Sequence, residues 1–277
     1  MIVTRFAPSP TGLLHLGHAY SALFAWRRAR DSGGRFLVRL EDIDRARCRE
    51  EFAASVIEDL IWLGLDWDGD VRRQSEHFAD YRAALDRLAA DGMIYPCFCT
   101  RADIAGAAAA PHGAAAHLYP GTCRALSACE RRVRIAAGEA YALRLDCERA
   151  LARTGPLQWR DEERGAIAAD PRSLGDVVLA RKDTPSSYHL AVTVDDAIQG
   201  VTLVTRAVDL LEATHIHRLL QALLALPVPR WHHHRLLTDA HGKRFAKRDR
   251  ALTLRQMRAA GATPEQVRAR AGFPGPG

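Results

Sequence analysis

Arg5-Phe-Ala-Pro-Ser-Pro-Thr-Gly-Leu-Leu-His15-Leu-Gly-His18 separates two segments of different periodicity. Residues 1–5 before it read as a short buried strand. Ala19-Tyr-Ser-Ala-Leu-Phe-Ala-Trp-Arg-Arg-Ala-Arg after it carries apolar residues at helical spacing, which predicts a long amphipathic helix. The stretch is therefore a strand-to-helix turn, the place where open parallel sheets receive the phosphates of a nucleotide. Pro8 and Pro10 exclude regular structure across the turn. Gly12 and Gly17 let backbone or ligand approach closely. His15 and His18 open the helix three residues apart, so their side chains point the same way and can both reach a phosphate. A bare H-x-G-H would be read equally well as two solvated histidines on the rim of a turn.

Working outward, the chain of 277 residues is long enough to bury a sizeable core as one domain with an insertion, or as two small domains. Its composition, 48% apolar and 26% charged, is that of a globular protein and not of a disordered chain. No apolar run approaches membrane-spanning length and the first residues lack the pattern of a signal peptide, so a cytoplasmic protein without a membrane partner is expected. The net charge of +6 fits a nucleic-acid partner, but an Arg-rich composition alone would produce the same excess. In such a compartment the six cysteines, Cys48, Cys97, Cys99, Cys123, Cys129 and Cys147, are thiols or metal ligands and not disulfides.

Arg35-Phe-Leu-Val-Arg-Leu-Glu41-Asp-Ile-Asp44 reads as a second strand running into an acidic loop, which places Glu41 at the carboxyl end of the strand, where ligands of open α/β sheets sit. The alternative is an edge loop with solvated acids. Residues 49–63 and 76–91 have helical spacing. Cys97-Phe-Cys99, an Ala-rich stretch from Ala105 to Ala116, and Tyr119-Pro-Gly-Thr-Cys123 follow. These cysteines could close a tetrahedral zinc site, with Cys129 or His117 as a fourth ligand on spacing alone, or could be three buried thiols. Residues 141–146 and 176–182 read as strands and the polar stretch 160–171 as a loop. Tyr188-His-Leu-Ala-Val-Thr-Val-Asp195-Asp196 reads as a strand returning to the core sheet, 201–206 as another strand, and the segment from Asp209 as a long helix. Arg206 would then either pair with Asp209 or face a substrate. His232, His233 and His234 are consecutive, so they alternate across a strand and cannot converge on one ion. Gly242-Lys243-Arg244-Phe245-Ala246-Lys247-Arg248-Asp249 is a basic loop, and a short helix spanning 263–272 closes the chain.

Several of these stretches together resemble the class I aminoacyl-tRNA synthetases. The first is similar to their "HIGH" signature, in the R-F-A-P-S-P-T-G form of the glutamyl/glutaminyl branch. Arg39-Leu-Glu41-Asp-Ile-Asp44, Pro185-Ser-Ser-Tyr188 through Asp196, and Arg206-Ala-Val-Asp209-Leu-Leu are similar to further segments of that branch. The basic loop resembles the "KMSKS" signature, with Arg244 where the family has Lys and Ala246 where it has Ser, while Lys247 is retained. After the short helix the chain stops, which resembles the glutamyl-queuosine tRNA(Asp) synthetases, stand-alone paralogues of the glutamyl catalytic core with no anticodon-binding domain.

The resemblance implies an α/β fold built on a Rossmann-like doubly wound parallel sheet, with an inserted zinc-bearing subdomain and a short helical end. The expected units are 1–96 and 184–240 for the two halves of the core, 97–183 for the insertion, and 241–277 for the basic loop and the last helix. It implies ATP-dependent activation of L-glutamate and transfer to queuosine in the anticodon stem-loop of tRNA(Asp), by a monomer. His15, His18 and Lys247 would be catalytic, and these with Gly17 would bind ATP with Mg²⁺. Arg5, Ala7, Ser9, Glu41, Tyr188 and Arg206 would hold glutamate. Two arginines fit an anionic side chain better than a neutral amide. Cys97, Cys99, Tyr119 and Cys123 would hold one structural Zn²⁺. The competing readings are a truncated glutamyl-tRNA synthetase acting on a tRNA 3′ end, a non-catalytic tRNA-binding paralogue, and a nucleotidyltransferase that shares only the H-x-G-H turn.

Overall fold

Four consecutive buried residues, Val3–Phe6, form the first strand, β1. The chain leaves it through Pro8 and Pro10, which lack the N–H a ladder needs. Helix α1 (Leu16–Arg30) begins at His15 with a reciprocal cap between the His15 and His18 rings and the backbone, and it buries Leu16, Ala19, Ala22, Leu23, Ala25 and Ala29. Strand β2 (Arg35–Leu40) lies parallel to β1, with Val3 opposite Arg35 and Phe6 opposite Val38. Helix α2 (Glu50–Trp62), the short strand β3 (Arg72–Arg73), parallel to β2, and helix α3 (Phe78–Ala90) follow. This computed structural model describes residues 1–100, 102–104, 118–237 and 252–274.

Next come β4 (Ile94–Cys97), α4 (Ala128–Ala136), β5 (Ala142–Leu145), α5 (Cys147–Thr154), β6 (Gln158–Asp161), β7 (Gly165–Ala168) and β8 (Val178–Ala180). β4, β5 and β8 pair antiparallel as a separate sheet in that order. β6 and β7 form a hairpin, and here the structure corrects the loop expected over 160–171. Trp159 and Asp161 are buried while Gln158 and Arg160 are exposed, which is strand alternation in a polar sequence. Gly165 supplies the left-handed residue (φ 77°) where the second strand begins.

Helix α6 (Tyr188–Ile198) is the second correction, because 188–196 reads as a strand in sequence. Ser187 caps the helix, and every residue from Leu190 to Asp196 is buried. A helix buried all round has no polar face to reveal its period. Strand β9 (Leu203–Ala207), helix α7 (Ala213–Leu223) and strand β10 (Arg230–His234) complete the core. The second sheet runs in the order β7-β6-β10-β9, with β10 parallel to both β6 and β9. It adjoins the first sheet where β9 comes alongside β1: Thr202 N–H donates to the Val3 carbonyl at 3.0 Å, and Val3 N–H donates to Thr202 Oγ1 at 2.8 Å. Helices α8 (Leu254–Ala259) and α9 (Pro264–Arg270) bury Leu254, Met257 and Val267 in the cluster shared by α1, α2 and the β1–β2 pair. Among the described residues no helix is long and apolar enough to cross a membrane.

Candidate active site

The carboxyl ends of β1, β2, β9 and β10 open on one cleft of about 610 Å³, the position a parallel α/β sheet reserves for ligands. Arg5, Ala7, Ser9, His15, Gly17 and His18 line it from the first strand-to-helix turn. Glu41, Tyr188 and Arg206 line it from β2, α6 and β9. All nine cleft residues expected from sequence outside the basic loop therefore meet in one place. Lys247 lies outside the described residues, with the rest of 238–251.

The two histidines are held by the start of α1. Gly17 N–H donates to His15 Nδ1 at 3.1 Å, and His15 N–H donates to His18 Nδ1 at 3.2 Å, with the ring centroids 3.8 Å apart. A neutral imidazole that accepts through Nδ1 carries its proton on Nε2. Both rings are thus set as Nε2 donors beside the amino end of a helix, where anions are favoured. A Cβ at position 17 would lie 3.0 Å from Cε1 of the His15 ring, closer than an ordinary contact, so a larger residue there would press on the ring.

Under the cleft lies a layer of buried charges. Arg5 Nε–H donates to Asp196 Oδ1 at 3.0 Å and its NH1 to the Thr205 carbonyl at 3.1 Å. Arg39, fully buried, donates to the same Asp196 oxygen at 2.9 Å and lies 3.4 Å from Glu41. Burial alone would raise the Asp196 carboxyl, but Arg5 and Arg39 outweigh it and hold the pKa below the ordinary carboxylate range. For Glu41 burial wins over Arg39 and Arg5, and its pKa is raised. Asp195 accepts from Arg72, Gln74 and Tyr81 at 2.8 to 2.9 Å and ties α6 to α3 and β3.

Arg206 is different. It does not pair with Asp209. Its Nε–H donates to His233 Nε2 at 3.2 Å, NH1 to Tyr188 Oη at 3.1 Å and to His217 Nδ1 at 3.2 Å, and NH2 to Thr214 Oγ1. Every one of these acceptors is neutral, because burial and the neighbouring guanidinium push His217 well below its ordinary pKa and His233 down to about 4. Among the described residues no carboxylate lies within ion-pair distance of Arg206, although its side chain is buried. A buried cation without an anion is costly unless a ligand supplies one.

Away from the cleft, Cys97, Cys99 and Cys123 bring their sulfurs within 4.8 Å of one another where β4 ends. Cys99 Sγ lies 3.5 Å from Cys123 Sγ and 3.7 Å from Tyr119 Oη. Tetrahedral zinc with Zn–S bonds of about 2.3 Å separates its sulfurs by about 3.8 Å, so the donors fit the ion. Tyr119 is already fixed, accepting Cys123 N–H at 2.8 Å with Arg144 stacked 3.9 Å over its ring.

Residues 1–272 match the family model described as tRNA synthetases class I (E and Q), catalytic domain. The chain is 50% identical over 279 residues to a glutamyl-Q tRNA(Asp) synthetase of Rhodobacter capsulatus, covering 96% of this chain and 98% of that one. It is 48% identical to a glutamyl-Q tRNA(Asp) synthetase of Symbiobacterium thermophilum, covering 96% and 84%. The chain belongs to the glutamyl-Q tRNA(Asp) synthetase family. As a member of this family, within the class I tRNA synthetases, it is a ligase. The same fold appears in the glutamate-tRNA synthetase of Elizabethkingia anophelis, with a TM-score of 0.82 at 26% identity, and this chain spans 59% of that one.

Sequence reasoning misses part of what this glutamyl-Q synthetase family member places around Arg206. Thr214, His217 and His233 contact it from α7 and β10, and Asp161 of β6 binds His233 from behind. The one signal is the run of histidines 232–234, whose expected alternation the structure shows: His232 and His234 pack on Phe24 while His233 turns inward to Asp161 and Arg206. Asp196 is visible in the sequence as half of an acidic pair, but nothing there shows that it binds Arg5 across the core.

Proposed function

We propose that this chain activates L-glutamate with ATP and transfers the glutamyl group to queuosine at the first anticodon position of tRNA(Asp). One observation carries the choice of amino acid: Arg206 sits on the floor of the cleft with a full charge, oriented by neutral acceptors. A glutamate side-chain carboxylate supplies the missing anion, and the glutamine amide does not. Tyr188 and Arg5 border the same carboxylate, Glu41 faces the ammonium group, and Ala7 and Ser9 frame the bound amino acid on the turn after β1.

The α-carboxylate of glutamate attacks the α-phosphate of ATP in line. A carboxylate–phosphorus bond forms as the bond to pyrophosphate breaks, so the protein chiefly positions reactants and stabilises charge. His15 and His18 present Nε2–H donors to the phosphate from the start of α1, and Gly17 lets the nucleotide lie against the helix. Lys247 supplies positive charge to the leaving pyrophosphate. Mg²⁺ adds countercharge there when bound. Transfer to tRNA then releases AMP, with the unstacked bases of an anticodon loop entering the cleft. Cys97, Cys99 and Cys123, with Tyr119 Oη 3.7 Å from Cys99 Sγ as the fourth donor, would hold one structural Zn²⁺ and would fasten the ends of the segment between them.

ATP–pyrophosphate exchange tests the activation step. Glutamate should drive exchange, while glutamine and aspartate should drive it at least about a hundredfold less efficiently, as expected when a site's buried charge is left unpaired. Exchange driven equally by glutamine would refute the role given to Arg206.

A further inference from the structure

The acceptors around Arg206 form a chain that ends in a carboxylate. His233 Nε2 accepts from Arg206 Nε–H at 3.2 Å, and it can do so only while the imidazole proton sits on Nδ1. Asp161 holds it there, with Oδ2 at 2.8 Å from His233 Nδ1 and both side chains fully buried. Asp161 is itself fixed by three backbone N–H groups, those of Glu163 at 3.0 Å, Arg164 at 3.1 Å and His233 at 3.1 Å. The turn of the β6–β7 hairpin therefore cradles this carboxylate. Thr214 closes the ring: its hydroxyl lies 3.0 Å from His233 Nε2 and its oxygen accepts from Arg206 NH2. With Nε2 of His233 as the acceptor, the Thr214 O–H and the Arg206 Nε–H share its single lone pair.

A carboxylate placed directly against Arg206 would orient it equally well but would cancel its charge. The molecule instead puts one neutral imidazole between the two. We propose that Asp161 and His233 are a positioning pair, which orients the Arg206 guanidinium without neutralising it and so sets the preference for glutamate over glutamine. This rests on the reading of Arg206 as the partner of the glutamate side chain. Neither residue touches the substrate; both act through Arg206. A structural role alone would require only that the cavity beside Trp159 be filled and the buried polar atoms paired.

Two nearly isosteric variants separate the alternatives. His233→Gln offers Arg206 a neutral oxygen where Nε2 stood, and His233→Glu offers a charged one. In ATP–pyrophosphate exchange, His233→Gln should keep the KM for glutamate within about threefold of wild type, whereas His233→Glu should raise it at least about tenfold and narrow the glutamate-to-glutamine ratio of kcat/KM by a similar factor, as when a buried charge acquires a competing partner. The KM for ATP should move less than about threefold in both, since the nucleotide lies on the α1 side of the cleft. Should the second carboxylate of His233→Glu unfold the chain by facing Asp161, the double variant Asp161→Asn/His233→Glu removes that repulsion and carries the same expectation. Equal effects of His233→Gln and His233→Glu on the KM for glutamate would overturn the proposal and leave His233 a packing residue. Absence of glutamate-driven exchange in the wild type would overturn the functional reading itself, a different result from a wild type that activates glutamate and variants that do not differ.

Discussion

Replacing Arg206 by glutamine removes the one buried guanidinium in the cleft that has only neutral partners among the described residues. Two unit charges about 4 Å apart interact by about 4 kcal/mol at an effective dielectric of about 20, the value suited to a site partly open to water. Arg5 faces the same cleft but is committed to Asp196 at 3.0 Å, so it replaces little of the lost attraction. Allowing for water that enters the enlarged space, about 2 to 4 kcal/mol of glutamate affinity should disappear, or about 30- to 1,000-fold in the KM for glutamate. The fold should survive, because burial draws the Arg206 pKa down and removing the charge relieves part of that desolvation cost. Glutamate titrations of ATP–pyrophosphate exchange, with thermal melting as the control, measure both effects. A glutamate KM within threefold of wild type, or an ATP KM rising in parallel, would refute the reasoning.

Lys247→Ala should reduce exchange by at least about a hundredfold, the scale of losing one charge that stabilises a transition state, while leaving the melting temperature unchanged. An unfolded variant, or one with undiminished exchange, would count against the role of Lys247. Purified protein should contain one zinc per chain by elemental analysis, and Cys123→Ser should lose it and melt at a lower temperature; full metal retention in the variant would exclude Cys123 as a ligand. Asp59, buried with neither carboxyl oxygen hydrogen-bonded among the described residues, has its pKa pushed up to about 6 by burial, with Arg258 and Arg255 offsetting only part. Its native pKa exceeds the unfolded one, so the native state holds the extra proton between about pH 4 and 6 and stability falls as pH rises through that window. Asp59→Asn should therefore gain up to about 3 kcal/mol at pH 8 and little at pH 4, by urea unfolding; an equal effect at both pH values would show that Asp59 does not titrate this way.

The first turn is legible because its chemistry is local. Pro8, Pro10, Gly17 and the paired histidines specify a turn and the start of a helix from within fourteen residues, while the cap that the His15 and His18 rings form there is seen only in the structure. The gathering of Glu41, Tyr188 and Arg206 at the same cleft is also anticipated, from segments that resemble one family. Tyr188–Ile198 does not read as a helix, because Val192, Thr193 and Val194 favour strands and its uniform burial leaves no helical stripe. The hairpin Gln158–Ala168 is hidden by its polar composition, although Trp159 and Asp161 alternate inward. The support around Arg206 is invisible for a different reason. Asp161, His217 and His233 are meaningful only once β6, α7 and β10 are brought together, 45 residues from Asp161 to Arg206 and 27 from Arg206 to His233. Sequence offers no spacing rule for side chains that meet across a parallel sheet.

Transfer of labelled glutamate, with ATP, onto tRNA(Asp) with and without queuosine and onto tRNA(Glu) tests the central claim most directly. Label on queuosine-containing tRNA(Asp) alone is the predicted result. Label on tRNA(Glu), or equal label on tRNA(Asp) lacking queuosine, would contradict it.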